Sequence, residues 1–542
     1  MTTIDPHVAG AGSSAVASER TGGVLASVAD HITTADHKKI GRLFIGSSFV
    51  VLLAVGVIAT LLGVERIDAT SSFIDAGALP QLFSAYRVLL TMGVVLPLGM
   101  GLAVAIAPLQ VGARSIAFPR LALLGFWSWA VGAILVVISI ASNGGPGGGN
   151  SDMVDLFLAA HVVVLIGLVA AAVSVGTTVL TARAPGMNMK RIPLFTWSAL
   201  VYSLGLLLAL PVLAGTLVLL YVDHKYSRLT FGGNKGIGTW VGYAFSQPAT
   251  VLYAVPVFGL VLDTLATATR KRLPLRGVGL IGVGLVGTAF LAGVVQVDSS
   301  LSRNVLDFTF SAALREIVPF ALINGLPLLG AAVVFAVVLR GAAGRPRPIS
   351  PFVFSVFGAG MVFVGIAGNA VYRVGDAQLA GTVFEEGAWI YVCYGLVLGA
   401  LGGVVYWGPK LWGRIIPDKK VLPLALLGLL ATILASFPYY IAGFAKQPAN
   451  AVEFDYSGPQ NLWNILVTAG HALMFLTVLA FVLLAVRSFR SGEHAGDDPW
   501  DGQTLEWATS SPAPASNFAE LHTVNSPEPL LDLKPVSTEG NA

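Results

Sequence analysis

The dominant pattern along the chain is a recurrence of long apolar runs separated by short polar breaks. Crossing a bilayer takes about 20 consecutive apolar residues as a helix, because backbone polar groups must be satisfied internally there. Runs of that length fall near residues 41–64, 86–111, 121–142, 155–180, 193–221, 239–268, 276–297, 311–340, 351–373, 384–409, 421–446 and 460–487. The pattern predicts an all-α integral membrane protein of about twelve spanning helices. A polar segment (1–36) precedes this membrane domain (37–490), and a polar, Pro/Ser-rich tail (491–542) follows it, expected to lie extended along the cytoplasmic surface. Residues 1–30 lack a continuous apolar stretch, so no cleavable signal peptide is expected and the first spanning helix must drive insertion.

Composition agrees with this reading. The 542 residues are 55% hydrophobic and 11% charged, against about 25% charged in soluble domains. The surface of such a chain faces largely lipid, so membrane lipid is an expected partner. A net charge of +3 gives no case for nucleic acid. The single cysteine, Cys393, sits in an apolar run and reads as a small packed hydrophobe. Lys and Arg concentrate in alternate breaks, among them Lys38–Arg42, Arg183–Arg191, Arg270–Arg276 and Lys410–Lys420. The positive-inside rule then places both termini in the cytoplasm. The opposite set of breaks is poorer, with Lys225, Arg228 and Lys235 as its main cluster. The loop Gly144–Gly149 lacks a Lys–Ser/Thr ending and reads as a flexible outer connection rather than a phosphate loop.

Five segments, in order, carry a resemblance. They are Thr33-Thr34-Ala35-Asp36-His37-Lys38-Lys39-Ile40-Gly41; Ala107-Pro108-Leu109-Gln110-Val111-Gly112-Ala113-Arg114 running on to Phe118-Pro119-Arg120; Leu210-Pro211-Val212-Leu213-Ala214-Gly215; Trp407-Gly408-Pro409-Lys410-Leu411-Trp412-Gly413-Arg414; and Asp497-Asp498-Pro499-Trp500 followed by Leu505-Glu506-Trp507-Ala508-Thr509-Ser510. On these the chain is identified as a divergent, actinobacterial-type member of the heme-copper oxidase (cytochrome c oxidase) subunit I family. The resemblance implies a subunit I-like bundle, two hemes, a copper ion and a magnesium ion, and oxygen reduction at a heme–copper pair.

At the positions where the family carries ligands, this chain has other residues. Counting back from Pro97 puts Tyr86 where a heme-binding histidine belongs. The first copper ligand falls on Gln247, the proton-gating Glu on Ala249 and the cross-linked Tyr on Val251. The paired copper histidines fall on Asp298 and Ser299, and Asp298 reads as a helix-end cap at the outer interface. The two heme ligands of the tenth helix fall on Ala388 and Ile390, and the His–Asp pair that holds magnesium on Ala380 and Gly381. The proton-path positions are occupied by Ser115, Ala122 and Pro327. None of these residues supplies the neutral imidazole that suits heme iron and copper. No cofactor is therefore expected.

Two histidines remain in spanning helices, His161 in the fourth and His471 in the twelfth. They read as hydrogen-bonded packing residues. The alternative is a relocated heme held between them. Glu385 and Glu386 open the tenth helix, either as an interfacial pair favoured by the helix dipole or as a cation site or salt bridge to the outer basic cluster of Lys225, Arg228 and Lys235. Asp263 and Arg315-Glu316 lie near predicted helix ends. Emptied heme pockets would be refilled by larger side chains such as Trp389 and Ile390, or by a hydrophobic ligand. The favoured functional expectation is a non-catalytic subunit I-like protein that docks other integral subunits of an oxidase-like complex as scaffold or regulator, using helix-end loops and the 497–510 tail as surfaces. The alternatives are a redox enzyme with relocated heme ligands and, more remotely, a transporter or lipid-binding protein.

Overall fold

The structure, a computed structural model, describes residue 29 and residues 32–68, 73–245, 249–302, 309–375, 378–452, 454, 459–518, 520 and 523–533. Among the described residues twelve helices are long and apolar enough to cross a membrane: α1 (His37–Glu65), α2 (Leu79–Gln110), α3 (Pro119–Ala141), α4 (Ser151–Thr181), α5 (Leu194–Lys225), α6 (Ala249–Thr269), α7 (Arg276–Val295), α8 (Phe310–Ala342), α9 (Ser350–Tyr372), α10 (Val383–Trp412), α11 (Asp418–Phe444) and α12 (Gln460–Ser491). They correspond one for one to the apolar runs. The sixth run divides: its first part lies in a separate helix, Gly233–Phe245, and α6 begins at Ala249 with a 3-10 turn. Pro256 then sits in the first turn of the α-helical part, where its missing N–H costs nothing.

Local chemistry sets several ends. The side chains of Asp36, Asn150 and Thr382 cap α1, α4 and α10 by accepting from backbone N–H groups in the first turn. Gly413, with φ at 78°, closes α10 in the left-handed conformation that glycine tolerates best. Two π-helical segments interrupt α2 (Leu89–Val95) and α8 (Ala321–Gly325). Each precedes a proline, Pro97 or Pro327, which deprives the carbonyl four residues back of its donor and crowds it. The wider turn accommodates both effects.

Consecutive helices pack against each other, and α12 returns to pack on α1. At the α9–α10 seam, a Cβ on Gly358 would meet the Gly395 carbonyl oxygen at 2.5 Å, and one on Gly395 would meet the Gly358 oxygen at 2.7 Å. Backbones approach that closely only where side chains are absent. The most apolar windows of α2, α6 and α10 are entirely buried, unlike those of the other nine spans. These three therefore form the interior on which any central site must be built.

The tail does not lie along a surface, as its polarity suggests. Trp500, Leu505, Glu506 and Trp507 are buried. Trp500 Nε1 donates to the Tyr406 carbonyl at 3.1 Å, and Trp507 Nε1 to the Tyr406 hydroxyl at 3.1 Å. Lys410 Nζ donates to the carbonyls of Asp497 (2.6 Å) and Thr509 (2.5 Å). The Asn517 amide donates to the Ala113 carbonyl at 2.7 Å and faces His37 Nε2 at 2.9 Å. The four carbonyls at each helix C-terminus lack intrahelical donors, and the tail's indoles and amides seal this end of the bundle.

The Gly144–Gly149 loop is likewise held rather than free. Gly145 N–H donates to Gln81 Oε1 at 2.8 Å, and Asn234 both accepts from Gly147 N–H (3.1 Å) and donates to the Gly148 carbonyl (2.6 Å).

Candidate functional site

The residues that the resemblance puts at ligand positions on α2 and α10, Tyr86, Ala388 and Ile390, are all buried. Tyr86 on α2 meets the Trp389 ring edge-on at a centroid distance of 5.3 Å. It meets the His471 imidazole of α12 at 5.9 Å. His471 is in turn set perpendicular to Tyr394 at 5.7 Å, with its Nδ1 2.8 Å from the Tyr394 hydroxyl. Ala388 and Ile390 are fully buried around this cluster. Edge-to-face aromatic contacts add roughly 0.5–1.5 kcal/mol each beyond area burial, so this packing is a specific structure and not loose filling.

Beside it lies a charge pair that the sequence reading assigned to other partners. Arg66, just past the end of α1, is 2% exposed. Its Nη1 and Nη2 donate to Glu386 Oε1 and Oε2, each at 3.1 Å. Nη1 also donates to the Tyr439 hydroxyl at 2.6 Å, and Nε to the Ala451 carbonyl at 3.2 Å. The guanidinium further covers the Phe83 ring at 4.8 Å. Glu386 is thus bound in the fork geometry that a carboxylate and a guanidinium share. Among the described residues Glu386 is bridged by Arg66 and not by the basic cluster: Lys225 is taken by Asp155 at 2.8 Å, together with His224 at 2.8 Å, and Arg228 stacks on Tyr226. The side chain of Lys235 lies outside the described residues. Glu385 is part-buried and has no ion pair among the described residues.

Of the described positions that the resemblance assigns to the copper site and its neighbours, Ala249, Val251 and Ser299 are buried and Asp298 is exposed. Gln247 lies outside the described residues. Ala249 and Val251 are buried at the start of α6. A cavity of about 20 Å³ remains between α5, α6 and α7, lined by Ala249, Tyr253, Phe290 and Gly293 among others. That volume holds about one water. Ser299 is buried and bonded to Asn324, whose Nδ2 donates to Ser299 Oγ at 3.1 Å and whose Oδ1 accepts from Asn369 Nδ2 at 2.8 Å. Asp298, by contrast, is exposed in the loop beyond α7. It does not cap a helix, since α7 ends at Val295. Instead it turns the chain locally, accepting from Ser300 N–H at 3.0 Å and Ser300 Oγ at 2.7 Å. Of the magnesium and proton-path positions, Ala380, Gly381 and Ser115 are exposed, while Ala122 and Pro327 are buried.

The two intramembrane histidines are not brought together. His161 Nδ1 meets the Phe157 carbonyl at 2.7 Å, one turn earlier on its own helix, and its ring rests on Phe157 at 4.3 Å. A cavity of about 10 Å³ adjoins it, lined by Val88, Met92 and Val164. His471 belongs to the Tyr86–Tyr394 cluster. Among the described residues, no group of three or more His, Cys, Asp and Glu gathers as a metal site would require.

Sequence reasoning missed two buried polar groups. One is Arg66, whose signal was an arginine in a set of breaks otherwise poor in basic residues. The other joins tail and bundle. Gln110 Nε2 donates to Asp263 Oδ2 (3.1 Å) and to Glu506 Oε1 (3.0 Å), while Trp407 Nε1 also donates to Glu506 Oε1 (3.1 Å). Asp263 additionally receives the first N–H groups of α5, from Leu194 (2.9 Å) and Phe195 (3.0 Å). Burial pushes the Glu506 carboxyl up to about 7, against the stabilising donors on its oxygen.

Comparison with known proteins agrees with this architecture. The family model for cytochrome c and quinol oxidase polypeptide I matches residues 39–473. A putative cytochrome c oxidase subunit 1-beta of Streptomyces coelicolor is 31% identical, over 92% of this chain and 90% of the relative. Cytochrome c oxidase subunit 1 of Corynebacterium glutamicum is 30% identical, over 93% and 88%. A solved heme-copper terminal oxidase has the same fold, with a TM-score of 0.66 at 13% identity, covering 91% of this chain and 88% of that one. The twelve spans, the order of the landmark segments and these matches together place the chain in the cytochrome c and quinol oxidase subunit I family.

Proposed function

We propose that this chain is a non-catalytic member of its family, serving as scaffold or regulatory subunit of a membrane complex. The observation that carries the reading is the packed cluster of Tyr86, Trp389, Tyr394 and His471, in which Tyr86 stands at one position that the resemblance assigns to a heme ligand and Trp389 lies between two others, Ala388 and Ile390. A porphyrin needs a cavity of its own size and axial imidazoles. These residues do not fit it: Tyr86, Ala388 and Ile390 supply no imidazole, and the cavities at Ala249 and His161 each admit about one water. Val251 and Ala249 offer neither a copper ligand nor an ionisable group.

In this reading the conserved product is the frame itself. The sealed tail end and the loop-bearing opposite end are available to other integral subunits, and the Lys/Arg distribution along the breaks puts both termini on the cytoplasmic side. Purification in mild detergent tests it. The expected result is a colourless, monodisperse protein that brings other membrane subunits with it. A Soret band at one or more hemes per chain would overturn the proposal.

A further inference from the structure

A cavity of about 600 Å³ lies at the N-terminal end of α2, remote from the tail. Its volume falls within the 300–1,000 Å³ typical of small-molecule sites. The wall is mainly apolar, formed by Leu79, Phe83 and Val88 of α2 with Val241 of the Gly233–Phe245 helix and Val452 of the segment between α11 and α12. It is also firmly built. Arg66 holds both Phe83, through its cation–π contact at 4.8 Å, and the neighbouring Ala451, through its 3.2 Å bond. The Gln81–Gly145 bond pins the adjoining loop to α2.

One charged side chain lines this space. Arg87 is part-buried, and among the described residues it makes no hydrogen bond or ion pair. Glu386, which lies in the field of Arg87, is already bound in both oxygens by Arg66. A guanidinium presents five donors in a planar fork suited to a carboxylate or a phosphate. Arg87 lies eight residues past Leu79, about 12 Å deeper along the helix at 1.5 Å per residue. A ligand satisfying both the wall and the cation therefore enters anionic head first, with an apolar body filling the space towards the mouth.

We infer that this cavity binds a single-chain amphiphile whose carboxylate or phosphate head is clamped by Arg87. The inference rests on the cavity and Arg87, independently of what occupies the family's metal positions. Native mass spectrometry of the full chain in nonionic detergent tests it, with laurate and dodecyl phosphate as probes and dodecanol as the uncharged control. The expected result is one adduct per chain with either anion and none with dodecanol. Arg87→Gln should lower adduct occupancy at least tenfold, and Arg87→Lys should restore part of it. Val452→Trp, which leaves Arg87 in place but fills the cavity, should abolish the adduct while the protein remains monodisperse. Equal occupancy in wild type and Arg87→Gln, or equal binding of dodecanol, overturns the inference. Binding of phosphatidylglycerol from nanodiscs without binding of either single-chain anion also overturns it, assigning the surface to a bilayer lipid.

Discussion

Removing the Glu386 carboxylate should be among the most damaging single changes in the bundle. In wild type, Arg66 is 2% exposed and Glu386 3% exposed, and the two share a pair of 3.1 Å hydrogen bonds. Glu386→Ala takes the two-oxygen carboxylate from a guanidinium that also donates to the Tyr439 hydroxyl and the Ala451 carbonyl. Breaking a buried pair from one side costs about 3–5 kcal/mol, because the remaining ion stays desolvated. Arg66→Ala should cost about the same, with the added loss of packing on Phe83. The double variant Arg66→Met/Glu386→Leu removes both charges and retains volume, and such replacements are commonly near neutral. The assay is loss of folded protein on heating or with added SDS in a fixed mild detergent, for wild type, both single variants and the double. The expected order is double variant close to wild type, with both single variants well below. Additive losses, with the double variant worst of all, would refute the reasoning that desolvated charge dominates at this position.

Other outcomes follow from the same packing. Trp389→Ala should destabilise by about 3–5 kcal/mol, and should open a dry pocket beside Tyr86 able to take up xenon, detectable by 129Xe NMR of the detergent-solubilised protein. Glu506 carries a raised carboxyl at about 7 against an ordinary value of 4.5. The native state therefore binds the proton more tightly, and stability is fully present below pH about 4.5 and declines as pH rises through about 7, by roughly 3 kcal/mol in all. Glu506→Gln should flatten that part of the melting-against-pH curve, and an unchanged slope would refute the assignment. Deleting the chain from residue 492 should strip the seal over Lys410, Trp407 and His37 and speed proteolysis at the ends of α1 and α10, read by mass mapping of the fragments.

The legible part of this protein was that which repeats along the chain. Twelve apolar runs give twelve spans because a bilayer imposes one length on each helix, and runs such as 421–446 need no partner to be recognised. Counting from nearby landmarks singled out Tyr86, Ala388 and Ile390, and all three are buried. What could not be read was pairing between distant segments. Arg66 and Glu386 stand 320 residues apart, and nothing local in either distinguishes a buried partner from an interfacial charge. The tail misled for a related reason. Glu506, Gln503 and Asn517 are polar and suggest a surface, yet each is buried because it satisfies a donor or acceptor on the bundle end. Asp298 and Ser299, adjacent in sequence, part ways in the fold, one exposed in a turn and the other buried against Asn324.

The proposed non-catalytic role rests on the aromatic packing around Tyr86 and Trp389, beside the positions that the resemblance assigns to heme ligands. Its most direct measurement is heme and copper per chain, by pyridine haemochrome assay and elemental analysis of protein produced in heme- and copper-replete cells. Well below 0.1 equivalent of each is predicted, for wild type and for the Tyr86→His/Ile390→His variant alike, because Trp389 and Tyr394 occupy the space. One or more equivalents of heme in the wild-type protein would contradict the account.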